Sequence, residues 1–309
     1  MKGRYSDIWA FSGVFLLLAA YLASGYAAAQ TGRTLSSALL ATGVLLACGA
    51  LLYFLDGRTR TDSGILVSAI YIATAAAHPE ALVFTPFHAA TLLTGISMAF
   101  YIVFHCGRPS TEIMAACCLA AGAAALIEPP MLWLSLVFIA TSAGRAEDKG
   151  RFWIAAVLSL LLPLAVRYGI AYLQGRFEPL GPFLSGFWAR MTAIRKPVFS
   201  GPDATLFRVL LLALAALLSI ASALKRLHTW KIAQSRATVC CITMLPACCL
   251  LVLLFYLTPS VPAGMLTALP LAPLLGQWLS RPEQKKTNRT LAFVLILVLL
   301  TERAACFLQ

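Results

Sequence analysis

Charge is what this 309-residue chain has least of: Asp, Glu, Lys and Arg make up 12% of it, against about 25% in soluble globular domains. An ordinary water-soluble domain is excluded, because its surface would need far more charge of both signs. Acidic residues are scarcest, 12 against 24 Lys and Arg. Familiar chemical motifs are missing too. There is no G-x-S-x-G, no H-E-x-x-H and no phosphate-binding glycine loop, which removes the usual hydrolase, zinc-protease and nucleotide-binding readings. The nine cysteines include no C-x-x-C pair. Eight lie inside apolar runs and Cys106 at the edge of one, so they read as small packing residues rather than disulfide partners or ligands. No metal and no cofactor are expected.

Hydrophobicity fills the space that charge leaves. Apolar residues account for 60% of the chain and mean hydropathy is +0.84. Apolar runs of 15 to 25 residues recur throughout. A bilayer crossing needs about 20 such residues, so the chain has room for about 11 spans and no separate soluble domain. Backbone groups in lipid must be paired within the segment, which makes the spans helices, and the runs are too uniformly apolar for barrel strands. The expected fold is all-α: residues 1–309 form a single polytopic transmembrane helical bundle.

Taken in order, the expected spans are Ile8 to Ala29, Leu35 to Leu55, Ser63 to Ala77, Ala81 to His105, a small-residue run ending at Ile127, Met131 to Ala143, Phe152 to Leu173, Ala204 to Leu224, Val239 to Leu257, Val261 to Leu279, and a last one after Arg289. The run from Ile8 ends in Ala27-Ala28-Ala29 and has some features of a cleaved signal. Its length and the span that follows favour a retained first helix. Spans three and six, at 15 and 13 residues, are short enough to be re-entrant. Prolines at 163, 246, 270 and 273 are expected to kink their helices.

The basic residues decide orientation. With the N-terminus inside and the C-terminus outside, the inner segments hold sixteen Lys and Arg, among them Arg58, Arg60, Arg108, Arg145, Lys149, Arg151, Lys225, Arg226, Lys231 and Arg236, and the outer segments hold six. That asymmetry satisfies the positive-inside rule. The basic inner segment with His228 and Trp230 reads as a contact with anionic membrane lipid. A nucleic-acid partner is not expected, because the excess charge is dispersed over short loops. The one long connection, 174–203 on the outer side, places Leu184, Phe187, Trp188, Met191 and Ile194 at helical spacing. This predicts an amphipathic helix lying in the interface.

The organising stretch is 121–140. Residues 113 to 143 would be one long oily segment but for Glu128-Pro129-Pro130. Paired prolines cannot continue a helix, so the segment is expected to fold as a helical hairpin with Glu128 at its tip. A turn between two apolar helices has no local need for a carboxylate. His78, Glu80 and Glu128 are the candidate catalytic residues at the outer face; Arg167, Arg208, Arg195 and Tyr168 are the candidate substrate-binding ones. Each has a plainer reading: arginines snorkel to the interface, and His78 and Glu80 are wetted turn residues.

The order of a small-residue helix, a proline turn, the aromatic-apolar helix Met131 to Ala143, a charged loop ending in Arg151-Phe152-Trp153, and a helix with Pro163 and Tyr168 resembles an uncharacterised family of Bacteroidota inner-membrane proteins. The likeness covers residues 115 to 173 and implies a bacterial inner-membrane, multi-pass envelope protein with no activity attached. In architecture the chain is also similar to membrane glycosyltransferases that use polyprenyl-phosphate sugars. Those place an acidic residue in the first outer loop, where residues 30–34 have none. Glu128 or Glu80 would have to act as base instead. That likeness implies a lipid-linked sugar phosphate as substrate, with arginines holding its phosphate. The alternatives are a transporter or lipid flippase, and a non-catalytic subunit docked on an envelope protein partner.

Overall fold

The computed structural model describes residues 35–59, 64–76, 81, 83–175, 179–194, 204–256 and 261–280, without the side chains of 35, 57–59, 76 and 204–212. Ten α-helices make up this part of the chain. They are α1 Leu35–Thr59, α2 Gly64–Ala76, α3 Pro86–Cys106, α4 Thr111–Ile127, α5 Leu132–Ser142, α6 Lys149–Leu173, α7 Leu180–Thr192, α8 Ala204–Leu224, α9 Ile232–Leu251 and α10 Gly264–Leu279. Short 3-10 turns, Pro129–Met131 and Ala143–Arg145, bracket α5, and α9 runs on into a π-turn, Val252–Tyr256.

Four segments are long and apolar enough to cross a membrane: Ser36–Asp56, Pro86–Cys106, Lys149–Leu173 and Ile232–Tyr256. These support a multi-pass membrane protein. Of the eleven expected spans, the first and last lie outside the described residues. α2, α4, α5 and α10 have 13, 17, 11 and 16 residues, short of the roughly 20 that a perpendicular crossing takes. The exposed surface agrees with a lipid environment. Along α6 the side chains of Ile154, Leu158, Leu161, Leu162, Val166 and Ile170 are all exposed, an apolar stripe that water would not tolerate on a stable monomer.

The helix ends follow local chemistry. Ser110 caps α4 by accepting the Glu112 N–H at 3.2 Å. Asp148 caps α6 by accepting the Arg151 N–H at 3.1 Å, and its carboxylate also pairs with the Arg151 side chain. This cap starts α6 at Lys149, three residues before the apolar run at Phe152, so half of the expected charged loop 144–151 is cap and first turn. Prolines 163, 246, 270 and 273 all lie inside their helices, and the described departure from α-helical geometry near Pro246 is the π-turn beyond it.

Packing is densest between α3 and α4, α4 and α6, α2 and α10, and α1 and α2. α9 bridges the two groups through α3 and α10. Hydrophobicity cannot drive association in lipid, so close approach and hydrogen bonds must do it. Both are present. A Cβ at Gly122 would land on the Leu160 carbonyl of α6, and one at Gly276 on the Val67 side chain of α2. Ser68 donates to the Gly49 carbonyl at 2.7 Å, joining α2 to α1; Ser97 to the Cys117 carbonyl at 2.8 Å, joining α3 to α4; Thr238 to Gln277 Oε1 at 2.9 Å, joining α9 to α10. Tyr71, Phe87, Tyr101, Phe104 and Phe152 fill the centre. The eight described cysteines are free thiols, six of them buried.

Candidate functional site

The site is built on the turn between α4 and α5. α4 stops where the prolines dictate: Glu128 is its C-terminal cap residue, with extended backbone angles and its N–H on the Ala124 carbonyl. Pro129 and Pro130 then sit buried in a 3-10 turn that leads into α5. The Glu128 side chain makes no capping bond to that turn, and a carboxylate at a helix C-terminus faces the negative end of the macrodipole, at a cost of about 0.3–1 kcal/mol. Local structure therefore gives no reason for an acid here. Across the bundle, the buried Tyr256 of the π-turn donates its hydroxyl to Glu128 Oε2 over a long 3.5 Å. Tyr256 is itself held edge-to-face by Phe87 at 4.8 Å.

Arg167 reaches the same turn from α6. Its Nη1 lies 3.5 Å from the Leu126 carbonyl, one of the acceptors that the end of α4 leaves without a helical partner. The guanidinium stacks 5.3 Å above the Phe183 ring, and Tyr168 meets the same ring at 6.2 Å. Phe183 belongs to α7, which forms in the long connection where the sequence predicts an amphipathic helix. α7 packs over the Pro129–Met131 turn, where the Trp133 indole N–H points at the Met191 carbonyl at 3.4 Å. The expected apolar stripe of α7 divides in two. Phe187 and Met191 turn toward the protein with Phe183, while Leu184 and Trp188 stay exposed.

Of the predicted residues, Glu128, Arg167 and Tyr168 therefore gather around one turn. His78, Glu80 and Arg195 lie outside the described residues, and Arg208 is described only as a backbone position in α8. Two residues escaped the sequence reading. Tyr256 is the first. The second is His88, fully buried, whose Nδ1 accepts the Thr85 N–H at 3.2 Å while Nε2 faces the Ala81 carbonyl at 3.0 Å. These partners require the tautomer with hydrogen on Nε2. The signal for His88 was its spacing, three residues after an N-cap threonine, the slot that Glu or Gln fills in a capping box. Tyr256 had no such signal beyond its place at the end of an apolar run.

No protein-family model, curated protein or solved structure matches this chain. Its function is read from its own geometry. A half-buried carboxylate, a tyrosine hydroxyl and a guanidinium with unused donors stand beside the turn that α7 covers. Such a group can accept a proton from a hydroxyl and hold an anionic group that arrives along the membrane surface. Among the described residues no cluster of three or more His, Cys, Asp or Glu could hold a metal ion.

Proposed function

We propose that this multi-pass membrane protein handles a lipid-linked saccharide phosphate at the Glu128 end of the bundle. In this reading Glu128 takes the proton of an acceptor hydroxyl, with Glu80 and His78 as the further candidate catalytic residues. Arg167, with Arg208, Arg195 and Tyr168, holds the phosphate. The observation that carries the reading is the placement of α7, which lies over the Glu128 turn and stacks Phe183 on Arg167; we read it as the interfacial helix of the outer connection. A substrate anchored in lipid enters a site from the bilayer side, and an interfacial helix is suited to border that entrance. The likeness to polyprenyl-phosphate-sugar glycosyltransferases, the bacterial inner membrane and the orientation with the N-terminus inside belong to the same proposal.

The test is native mass spectrometry of the full chain extracted gently from its own membranes. A stoichiometric polyprenyl phosphate or glycolipid is expected, reduced about tenfold or more in Arg167→Ala, the loss of one charge-assisted contact, and retained in Glu128→Gln. Bulk phospholipid alone, unchanged by Arg167→Ala, overturns the reading. A second reading, a flippase or transporter, draws on the π-turn at Val252–Tyr256, because such turns recur at functional sites; it predicts glycolipid movement in proteoliposomes that survives Glu128→Gln. A stoichiometric protein partner would instead make the chain a non-catalytic subunit.

A further inference from the structure

The opposite end of α5 carries a second polar assembly that the Glu128 site does not use. α3 ends in His105 and Cys106; α5 ends in Ser142, with Arg145 in the 3-10 turn that follows; α9 begins with Arg236 in its second turn. These three ends are tied together. His105 Nε2 lies 3.1 Å from the Ser142 hydroxyl, and the Cys106 thiol donates to the Ala233 carbonyl at 3.2 Å. The imidazole is fixed edge-on by the Tyr101 ring at 4.6 Å, and Tyr101 is anchored in turn by Thr141 at 2.9 Å.

These contacts bring two basic positions to the same end, Arg145 three residues beyond Ser142 and Arg236 three residues beyond Ala233. Arg145 and Arg236, from different elements, both act on His105 and on Cys106. Arg145 is half-buried and Arg236 exposed, so both guanidiniums are open to a ligand that arrives from outside the bundle. Among the described residues neither guanidinium pairs with a carboxylate. Asp148, close in sequence to Arg145, is committed to Arg151 and to the α6 cap. Glu112 and Glu147 are exposed. The assembly therefore offers two guanidinium forks, a hydroxyl and an imidazole, with no acidic group of the described chain to meet them. Forked, charge-assisted donors of this kind suit the oxygens of a phosphate.

We infer that His105, Ser142, Arg145 and Arg236 form a binding site for a phosphoryl group at the end of the bundle opposite Glu128. Two sources fit the chemistry, the headgroup of an anionic phospholipid and free phosphate. Only one of them would be seated by the surrounding bilayer. The site is independent of the Glu128 reading and stands or falls without it.

The test is thermal unfolding of the full chain in a neutral detergent, with inorganic phosphate, with short-chain phosphatidylglycerol, or with phosphatidylcholine of the same chain length. Phosphate or phosphatidylglycerol is expected to raise the midpoint, with an apparent affinity that falls about tenfold or more in Arg236→Ala and in Arg145→Gln. Arg151→Ala, which removes an exposed guanidinium already paired with Asp148, should leave that affinity unchanged. Arg236 is exposed on the first turns of α9, so its variant keeps the question answerable if Arg145→Gln fails to fold. Stabilisation by inorganic phosphate identifies a free anion; stabilisation by phosphatidylglycerol alone identifies a lipid headgroup. No stabilisation by either, equal stabilisation by phosphatidylcholine, or an affinity that Arg236→Ala leaves intact overturns the inference.

Discussion

His88 shows how much a single polar side chain can carry inside an apolar bundle. Its ring spans from the Thr85 N–H to the Ala81 carbonyl, and so ties the segment entering α3 to the helix itself. A buried carbonyl left without its donor costs about 1–3 kcal/mol. His88→Phe is therefore expected to lower thermal stability in detergent by that order, with His88→Gln, which keeps both an acceptor and a donor, closer to the parent. Equal losses in the two variants would mean that ring volume and not hydrogen bonding is what the site needs. Glu128 is the contrasting case. It was conspicuous in the sequence because nothing around it called for a charge, and the structure adds that its helix end disfavours one. Tyr256 and His88 were hidden for a common reason: each looks like an ordinary member of an apolar run until its partners, far away in sequence or one turn back, are known.

At the scale of elements, the ends of helices were legible and their faces were not. Pro129-Pro130, Ser110 and Asp148 mark boundaries through chemistry that acts within four residues. The faces of α4 carry little such signal: buried Cys117, Ala121, Gly122 and Ala125 differ from exposed Leu119 mainly in size. In lipid, size decides which face meets another helix. Gly122→Ala is expected to destabilise the protein by about 1–3 kcal/mol through overpacking, because the added carbon meets backbone that cannot move aside. Gly95→Ala meets only the tips of Leu51 and Leu269 at 3.4 Å, and should be neutral or slightly stabilising through helix propensity. Comparing the two melting temperatures checks the close approach of α4 and α6. The interfacial position expected of α7 has its own measurement. A variant whose only tryptophan is Trp188 should be quenched more by lipids brominated near the headgroup end of the acyl chain than by lipids brominated near its tip; the reverse order would place α7 deeper than an interfacial helix lies.

For the whole molecule, the all-α membrane class followed from composition, and four helices meet the length and hydropathy of a span. The count of eleven did not follow so directly. Apolar runs fix where helices are, but a helix of 11 to 17 residues can stop part-way, and hydropathy does not record depth. Orientation was read from the distribution of arginine and lysine and is open to direct labelling. A membrane-impermeant maleimide should reach Gly181→Cys in intact cells and Glu147→Cys only after the membrane is opened, with the labelling of the parent chain subtracted as background. Labelling of Glu147→Cys alone in intact cells would invert the topology and move the Glu128 site to the other side.

Unequal helix lengths also make this protein a poor match to any bilayer of uniform thickness. At about 1.5 Å per residue, the 25 residues of α6 reach roughly 37 Å, while the 11 of α5 reach only about 16 Å. α7 lies over the hairpin end of the shorter helix. Thinner or thicker membranes would change how that end meets the headgroups. The lipid around the bundle therefore bears on how firmly α7 is seated over Glu128, so acyl-chain length is a natural control on access to the turn.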